Sequence, residues 1–140
     1  MQDKRELNEK KKNYLQGYRR SIRKAKRIEA ELEEIRNMKE NPGVVNNDGM
    51  PHGTNVGDLS NYAAELCELE ESLYQEGVEQ VKEYRTIMAS IDQLENEEER
   101  DVLFYRYIKG KDFWSIGDTM GYSERQIHRI HGNALSHLKI

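Results

Sequence analysis

This sequence is poor in the residues that stop helices and in those that fill a thick core. Two prolines in 140 residues leave almost nothing to break a helix, while one tryptophan and two phenylalanines supply little bulk for a large globular interior. One cysteine, Cys67, excludes an intramolecular disulfide and a thiolate zinc cluster, so a reducing, cytoplasmic setting is expected. No run of eighteen apolar residues occurs, and residues 1–12 are polar with mixed charge, so neither a membrane span nor an export leader is expected. Catalytic patterns are missing as well. The chain contains no G-x-x-x-x-G-K-[ST] phosphate loop, no G-x-S-x-G elbow and no H-E-x-x-H pair, and its carboxylates fall in solvated runs such as Glu95, Glu97, Glu98 and Glu99. The expectation is a non-enzyme with no catalytic residues, no cofactor and no metal.

What is present is charge, and its sign changes along the chain. Residues 1–40 carry 13 Lys/Arg against 8 Asp/Glu, residues 58–93 carry 2 against 9, and residues 94–140 carry 7 against 8. The first block has an apolar series Leu7, Tyr14, Leu15, Tyr18, Ile22, Ala25, Ile28, Leu32, Ile35, Met38, which predicts one long helix over about 3–40. Asn41-Pro42-Gly43 opens a polar, glycine-rich loop to Gly57. Asp58 is the expected cap of a second helix with the stripe Leu59, Tyr62, Ala63, Leu66, Leu69, Leu73, Val81, Tyr84, Ile87, Met88 and Ile91. Neither stripe is stable in water alone, so the two helices are expected to pair as an antiparallel, coiled-coil-like hairpin over 3–92. The nine Lys/Arg of residues 10–27 would then face Glu71, Glu76, Glu79 and Glu83. Cys67 is expected to pack as a small hydrophobe beside the seam.

The last third predicts three short helices. Asn96 with Glu99 has capping-box spacing, Lys109-Gly110-Lys111 ends the first element, and Asp112 caps the second. Gly117 is small enough for close helix approach, Gly121 permits a left-handed turn, and Ser123 with Gln126 opens the third helix with another capping box. Two short helices joined by a glycine turn spell helix-turn-helix. With Ile127, Ile130, Ala134, Leu135 and Leu138 turned inward, the last helix is expected to show water Glu124, Arg125, Gln126, His128, Arg129 and His131. Arg and Gln can bond base edges bidentately, and Arg129 has the alternative of a phosphate. Trp114 is expected as an anchor at the helix-helix junction. His128 and His131 stand three apart, but no Cys or carboxylate lies at ligand spacing, so no metal site is expected.

Residues 94–140 resemble region 4 of the sigma-70 family of transcription initiation factors. The resemblance rests on Arg106-Tyr107, Ile116-Gly117, Met120-Gly121, Ser123, Ile127, Ile130, Ala134-Leu135 and Leu138. It implies that the last helix reads promoter DNA, with Ser123, Glu124, Arg125, Gln126, His128 and Arg129 as the DNA-binding set. The upstream part is similar to small phage transcriptional regulators that carry such a C-terminal domain. Nothing in the chain corresponds to the sigma segment that melts promoters, which implies an activator or accessory factor rather than a complete sigma factor.

The expected architecture is therefore all-α, with a helical hairpin in 1–93, its loop at 41–57, and a three-helix helix-turn-helix domain in 94–140. The expected function is a DNA-binding transcriptional regulator whose partner is double-stranded DNA. Because the C-terminal domain is near neutral, RNA polymerase or homodimerisation through the hairpin is expected to assist it. One rival is a structural or adaptor coiled-coil protein acting through the hairpin. A second is a nonspecific nucleic-acid binder using residues 10–27.

Overall fold

A computed structural model of the chain describes residues 3–40 and 56–140. Asn41-Pro42-Gly43 and most of the expected 41–57 loop lie outside the described residues. The elements are α1 (Lys4–Leu15), α2 (Gly17–Glu40), α3 (Val56–Asp92), α4 (Glu97–Leu103) running into a π-helical turn (Phe104–Ile108), α5 (Phe113–Met120) and α6 (Glu124–His137). There is no strand among the described residues, and the protein is all-α.

The single N-terminal helix expected from the stripe is two helices. Gln16 interrupts it for one residue, yet Gln16 N–H still reaches the Lys12 carbonyl and Arg20 N–H the Gln16 carbonyl, both at 3.0 Å. Gly17 follows, where an added Cβ would stand 2.7 Å from the Glu83 carboxylate, so the missing side chain admits that carboxylate. The second long helix begins at Val56, which puts Asp58 inside its first turn instead of at the N-cap.

Two compact units result, and each is built from segments distant in sequence: residues 1–22 with 80–140, and residues 23–79. In the second unit, Lys24 pairs with Glu76 at 3.4 Å and Arg36 with Glu70 at 3.3 Å. Partners fall in number on α3 as they rise on α2, the signature of antiparallel neighbours. In the first unit, the Tyr14 hydroxyl lies 2.9 Å from Ser90 Oγ, and the Tyr18 and Tyr84 rings meet edge to face at 5.7 Å. Of the acids expected opposite residues 10–27, Glu76 has its cation, whereas the Glu71 carboxylate accepts from the Gln75 amide on its own helix. Cys67 is exposed, contrary to expectation, because Tyr62, Leu66, Leu69 and Leu73 make the covered stripe and leave it on another face.

The first unit has one core that crosses from the long helices into the last three. Leu15, Ile87, Ile91 and Leu94 pack with Leu103, Tyr107, Ile108, Ala134, Leu135 and Leu138. A second cluster, Val102, Ile116, Ile127 and Ile130, holds α4, α5 and α6 together. Polar ties reinforce the first core. Lys11 is buried and its ammonium donates to the Leu135 carbonyl at 2.6 Å, placing a cation at the C-terminal end of α6, where the helix dipole favours it. Burial lowers the pKa of that ammonium. The Arg100 guanidinium donates to the Leu94 carbonyl at 2.6 Å, and the Arg19 guanidinium covers Gly110, where an added Cβ would come within 2.7 Å of it. Part of the basic run at 10–27 thus serves to cap carbonyls and fill a glycine concavity.

Candidate nucleic-acid interface

The turn between α5 and α6 is built as its residues predict. The Asp112 carboxylate accepts from Ser115 N–H at 2.8 Å and starts α5, and that hydrogen bond holds its pKa below the usual carboxylate range. Gly121 ends the helix at φ 77°, a left-handed conformation that favours glycine, and Tyr122 N–H closes on the Gly117 carbonyl at 2.9 Å. A Cβ on Gly117 would stand 2.5 Å from the Tyr122 carbonyl oxygen. Ser123 then caps α6: its Oγ accepts from Gln126 N–H at 3.2 Å, while the Gln126 amide oxygen accepts from Ser123 N–H at 3.1 Å. The Tyr122 hydroxyl donates to the Glu98 carboxylate, tying the turn to the start of α4.

All six residues of the predicted reading set are exposed. The structure divides them by occupation. Ser123 and Gln126 are engaged in capping each other, and the Glu124 carboxylate lies 3.5 Å from His128 Nε2. Arg125 and Arg129 have no ion-pair partner among the described residues, so their guanidiniums are the cations that α6 offers outward. Arg129 borders a shallow depression with Asn96, Glu98, Glu99 and Asn133, which sets acidic groups close to one of the two cations.

Three expectations for this region are corrected. Trp114 is 67% exposed, because the inward face of α5 is Phe113, Ile116, Gly117 and Met120, and Trp114 falls off that stripe together with Asp118. His131 is buried instead of water-facing. It lies on the α6 stripe with Ile127, Ile130, Ala134 and Leu135, a position that its polarity obscured in the sequence. Glu99 is at capping-box spacing from Asn96, but only half of the box forms: Asn96 accepts from Glu99 N–H at 3.0 Å, while the Glu99 carboxylate turns to His137 Nδ1, also at 3.0 Å.

Sequence reasoning also missed the polar-aromatic cluster under α6. The π-helical turn, with Lys109 N–H bonded to the Phe104 carbonyl, buries Tyr107 and Ile108 in succession and leaves Arg106 over the Phe113 ring at 4.4 Å. His128 and His131 both pack on the Phe113 ring, the first tilted with centroids at 4.2 Å and the second edge to face at 5.1 Å. The Tyr107 hydroxyl lies 2.7 Å from His131 Nε2. Burial pushes the Tyr107 phenol up to about 12, so it keeps its proton. Burial, and after it the charges of Lys12, Arg106 and His128, push His131 down from 6.5 to about 4. A run of bulky residues such as Phe104-Tyr105-Arg106-Tyr107-Ile108 was the one visible sign, and helical periodicity alone does not sort it.

His131 makes the fold pH-dependent. The unfolded chain takes up a proton on His131 near pH 6.5, but the folded chain resists until about pH 4, so between these values the unfolded state binds more protons. The associated stability is full above pH 6.5 and is lost as pH falls through 4, about 3 kcal/mol in all. Urea unfolding at pH 7 and pH 4 should show this loss in the wild type and a smaller one in His131→Phe. Equal losses would refute the assignment.

The sequence model of one family, described as "Protein of unknown function (DUF1492)", matches residues 50–139. The chain belongs to the DUF1492 family. No curated protein and no solved structure matches it. The DUF1492 match spans α3 and every later helix, including the capped turn, Arg125, Arg129 and the Tyr107–His131 cluster, whereas α1 and α2 precede it. Among the described residues of this DUF1492 chain, no helix is long and apolar enough to cross a membrane.

Proposed function

We propose that the protein is a DNA-binding transcriptional regulator, a sigma-like activator or accessory factor that reads promoter DNA through α6 and acts together with RNA polymerase. One observation carries this reading. A helix opened by a complete capping box, packed against its predecessor at Gly117 after the left-handed turn at Gly121, presents Arg125 and Arg129 outward without ion-pair partners among the described residues. An α-helix fits the major groove, and unpaired guanidiniums near its first turns are what base edges and phosphates accept. The similarity of residues 94–140 to sigma region 4 supports the same helix in the same role.

Reading through residues 10–27 has less support. Of the four cations that would matter there, three are engaged within the chain: Arg19 donates toward the Ile108 carbonyl at 3.5 Å, Arg20 bonds Asn13 twice and Lys24 pairs with Glu76, while Arg23 is exposed. An adaptor acting through the hairpin draws on its exposed hydrophobic side chains, among which Tyr74 is 67% exposed.

The test is sequencing of genomic fragments retained by the purified protein at physiological salt, with and without RNA polymerase. Enrichment of one motif, lost in the Arg125→Ala/Arg129→Ala variant, supports the proposal. No enrichment in either setting overturns it in favour of the adaptor, and equal retention of DNA by both proteins overturns it in favour of binding through residues 10–27.

A further inference from the structure

Four cations gather where the π-helical turn hands over to α5, and none of them has an ion-pair partner among the described residues. Lys109 and Lys111 flank Gly110, whose left-handed φ of 71° turns the chain between them. Arg106 precedes them on the π-helical turn, and Arg19 comes over from α2. Each is held by something other than a carboxylate. The Arg106 guanidinium lies on the Phe113 ring and donates to the Lys111 carbonyl at 3.3 Å, while the Arg19 guanidinium fills the concavity at Gly110. The Lys109 ammonium stands 5.9 Å from the Phe104 centroid. That of Lys111 stands 5.1 Å from the Tyr105 centroid and donates to the Thr119 hydroxyl at 3.2 Å. Ring faces and neutral oxygens orient a cation without cancelling its charge, and they leave it N–H donors to spare. The adjacent acid, Asp112, accepts from Ser115 N–H as the cap of α5, and Asp101 and Asp118 on the flanking helices pair with none of the four.

The cluster borders the exposed face of α6. Phe113 carries Arg106 at 4.4 Å and His128 at 4.2 Å, so a single ring separates the cluster from the predicted reading set. The major groove is about 12 Å wide, and a helix lying in it has sugar-phosphate walls on both sides. In the docking mode proposed above, the helix ahead of the reading helix crosses one of those walls. Here that helix is α5, and Lys111 immediately precedes its cap. Residues 94–140 carry 7 Lys/Arg against 8 Asp/Glu, so their attraction for phosphate depends on where the cations stand and not on their sum.

We infer that Lys109 and Lys111, held by Arg106 and flanked by Arg19, form a phosphate clamp that grips the DNA backbone beside the groove entered by α6. The inference rests on the DNA-binding reading and adds to it a surface that positions the protein without reading sequence. Anisotropy titrations of the full chain, at several salt concentrations, on a duplex carrying the enriched motif and on a scrambled duplex test it. Lys109→Gln with Lys111→Gln should lower affinity for the two duplexes by the same factor and make the slope of log affinity against log salt shallower by about 0.9 for each lysine. Its far-UV helical signal should remain that of the wild type. Lys109→Arg with Lys111→Arg keeps both charges and should keep the wild-type slope. Arg23→Gln removes an exposed cation of α2 outside the cluster and should leave the slope unchanged. A double glutamine variant with the wild-type slope, or one that loses preference for the motif, overturns the clamp and leaves the reading by α6 intact. So does an Arg23→Gln slope as shallow as that of the double variant. A wild-type slope combined with lost retention of RNA polymerase gives the cluster to a protein partner and also overturns the clamp. Failure of the reading shows differently, as a wild type with no motif preference, and a wild type that binds neither duplex overturns both.

Discussion

Gly117→Ala should cost about 2 kcal/mol of stability or more, although alanine is the better helix former by about 1 kcal/mol. The new methyl would meet the Tyr122 carbonyl oxygen at 2.5 Å, and that atom is backbone, fixed by the Tyr122 N–H to Gly117 bond and by the Ser123 cap that follows. It cannot swing aside as a side chain can. Relief requires α5 and α6 to separate, which opens the contact of Ile116 with Ile127 and Ile130. Gly132→Ala is the matched control. It lies inside α6 with nothing within 4 Å of an added Cβ, so there the propensity gain of up to about 1 kcal/mol should appear undiminished. Urea unfolding followed by circular dichroism should move the two variants in opposite directions. A stabilised Gly117→Ala would refute the close approach.

Arg125→Ala with Arg129→Ala should weaken binding to the enriched motif on the order of 10²-fold or more, since a good bidentate base contact is worth about 1–3 kcal/mol. Both side chains are exposed and neither has an ion-pair partner among the described residues, so their removal leaves no buried group unpaired and the fold unaffected. The single variants separate their roles. A residue on a base edge should relax preference at one position of the motif. A residue on a phosphate should lower affinity for every sequence alike and reduce the slope of log affinity against log salt by about 0.9. Fluorescence anisotropy on the motif and on a scrambled duplex, at several salt concentrations, measures both. Unchanged affinity in the double variant would remove α6 from the reading role.

Where local chemistry decides a feature, the sequence was readable. The Asp112 and Ser123 caps, the left-handed Gly121, the close approach at Gly117 and the inward Ile127, Ile130, Ala134 and Leu135 each depend on residues within a few positions of one another. Features that depend on distant neighbours were hidden. His131 and Lys11 are polar and look solvated, but Tyr107 and the Leu135 carbonyl, brought in from other helices, satisfy them inside. Trp114 looks like core because of its size, yet three smaller inward positions and Phe113 already fill the junction. Gln126 illustrates the mixed case: its exposure follows from periodicity, while its commitment to the cap limits what it has left to offer DNA.

The core that unites Leu15, Ile87 and Ile91 with Leu103, Tyr107, Leu135 and Leu138 bears on how the protein can be dissected. A fragment beginning at residue 94 would keep the turn and both arginines but lose three of the fully covered aliphatic side chains that back α6, and with them the Lys11 bond to its last turn. The capped α5–α6 pair is therefore not a portable cassette. Transplanted onto another scaffold, it has to carry residues 4–22 and 80–93 with it, and a fusion that omits them should aggregate through the newly bared flank of α6.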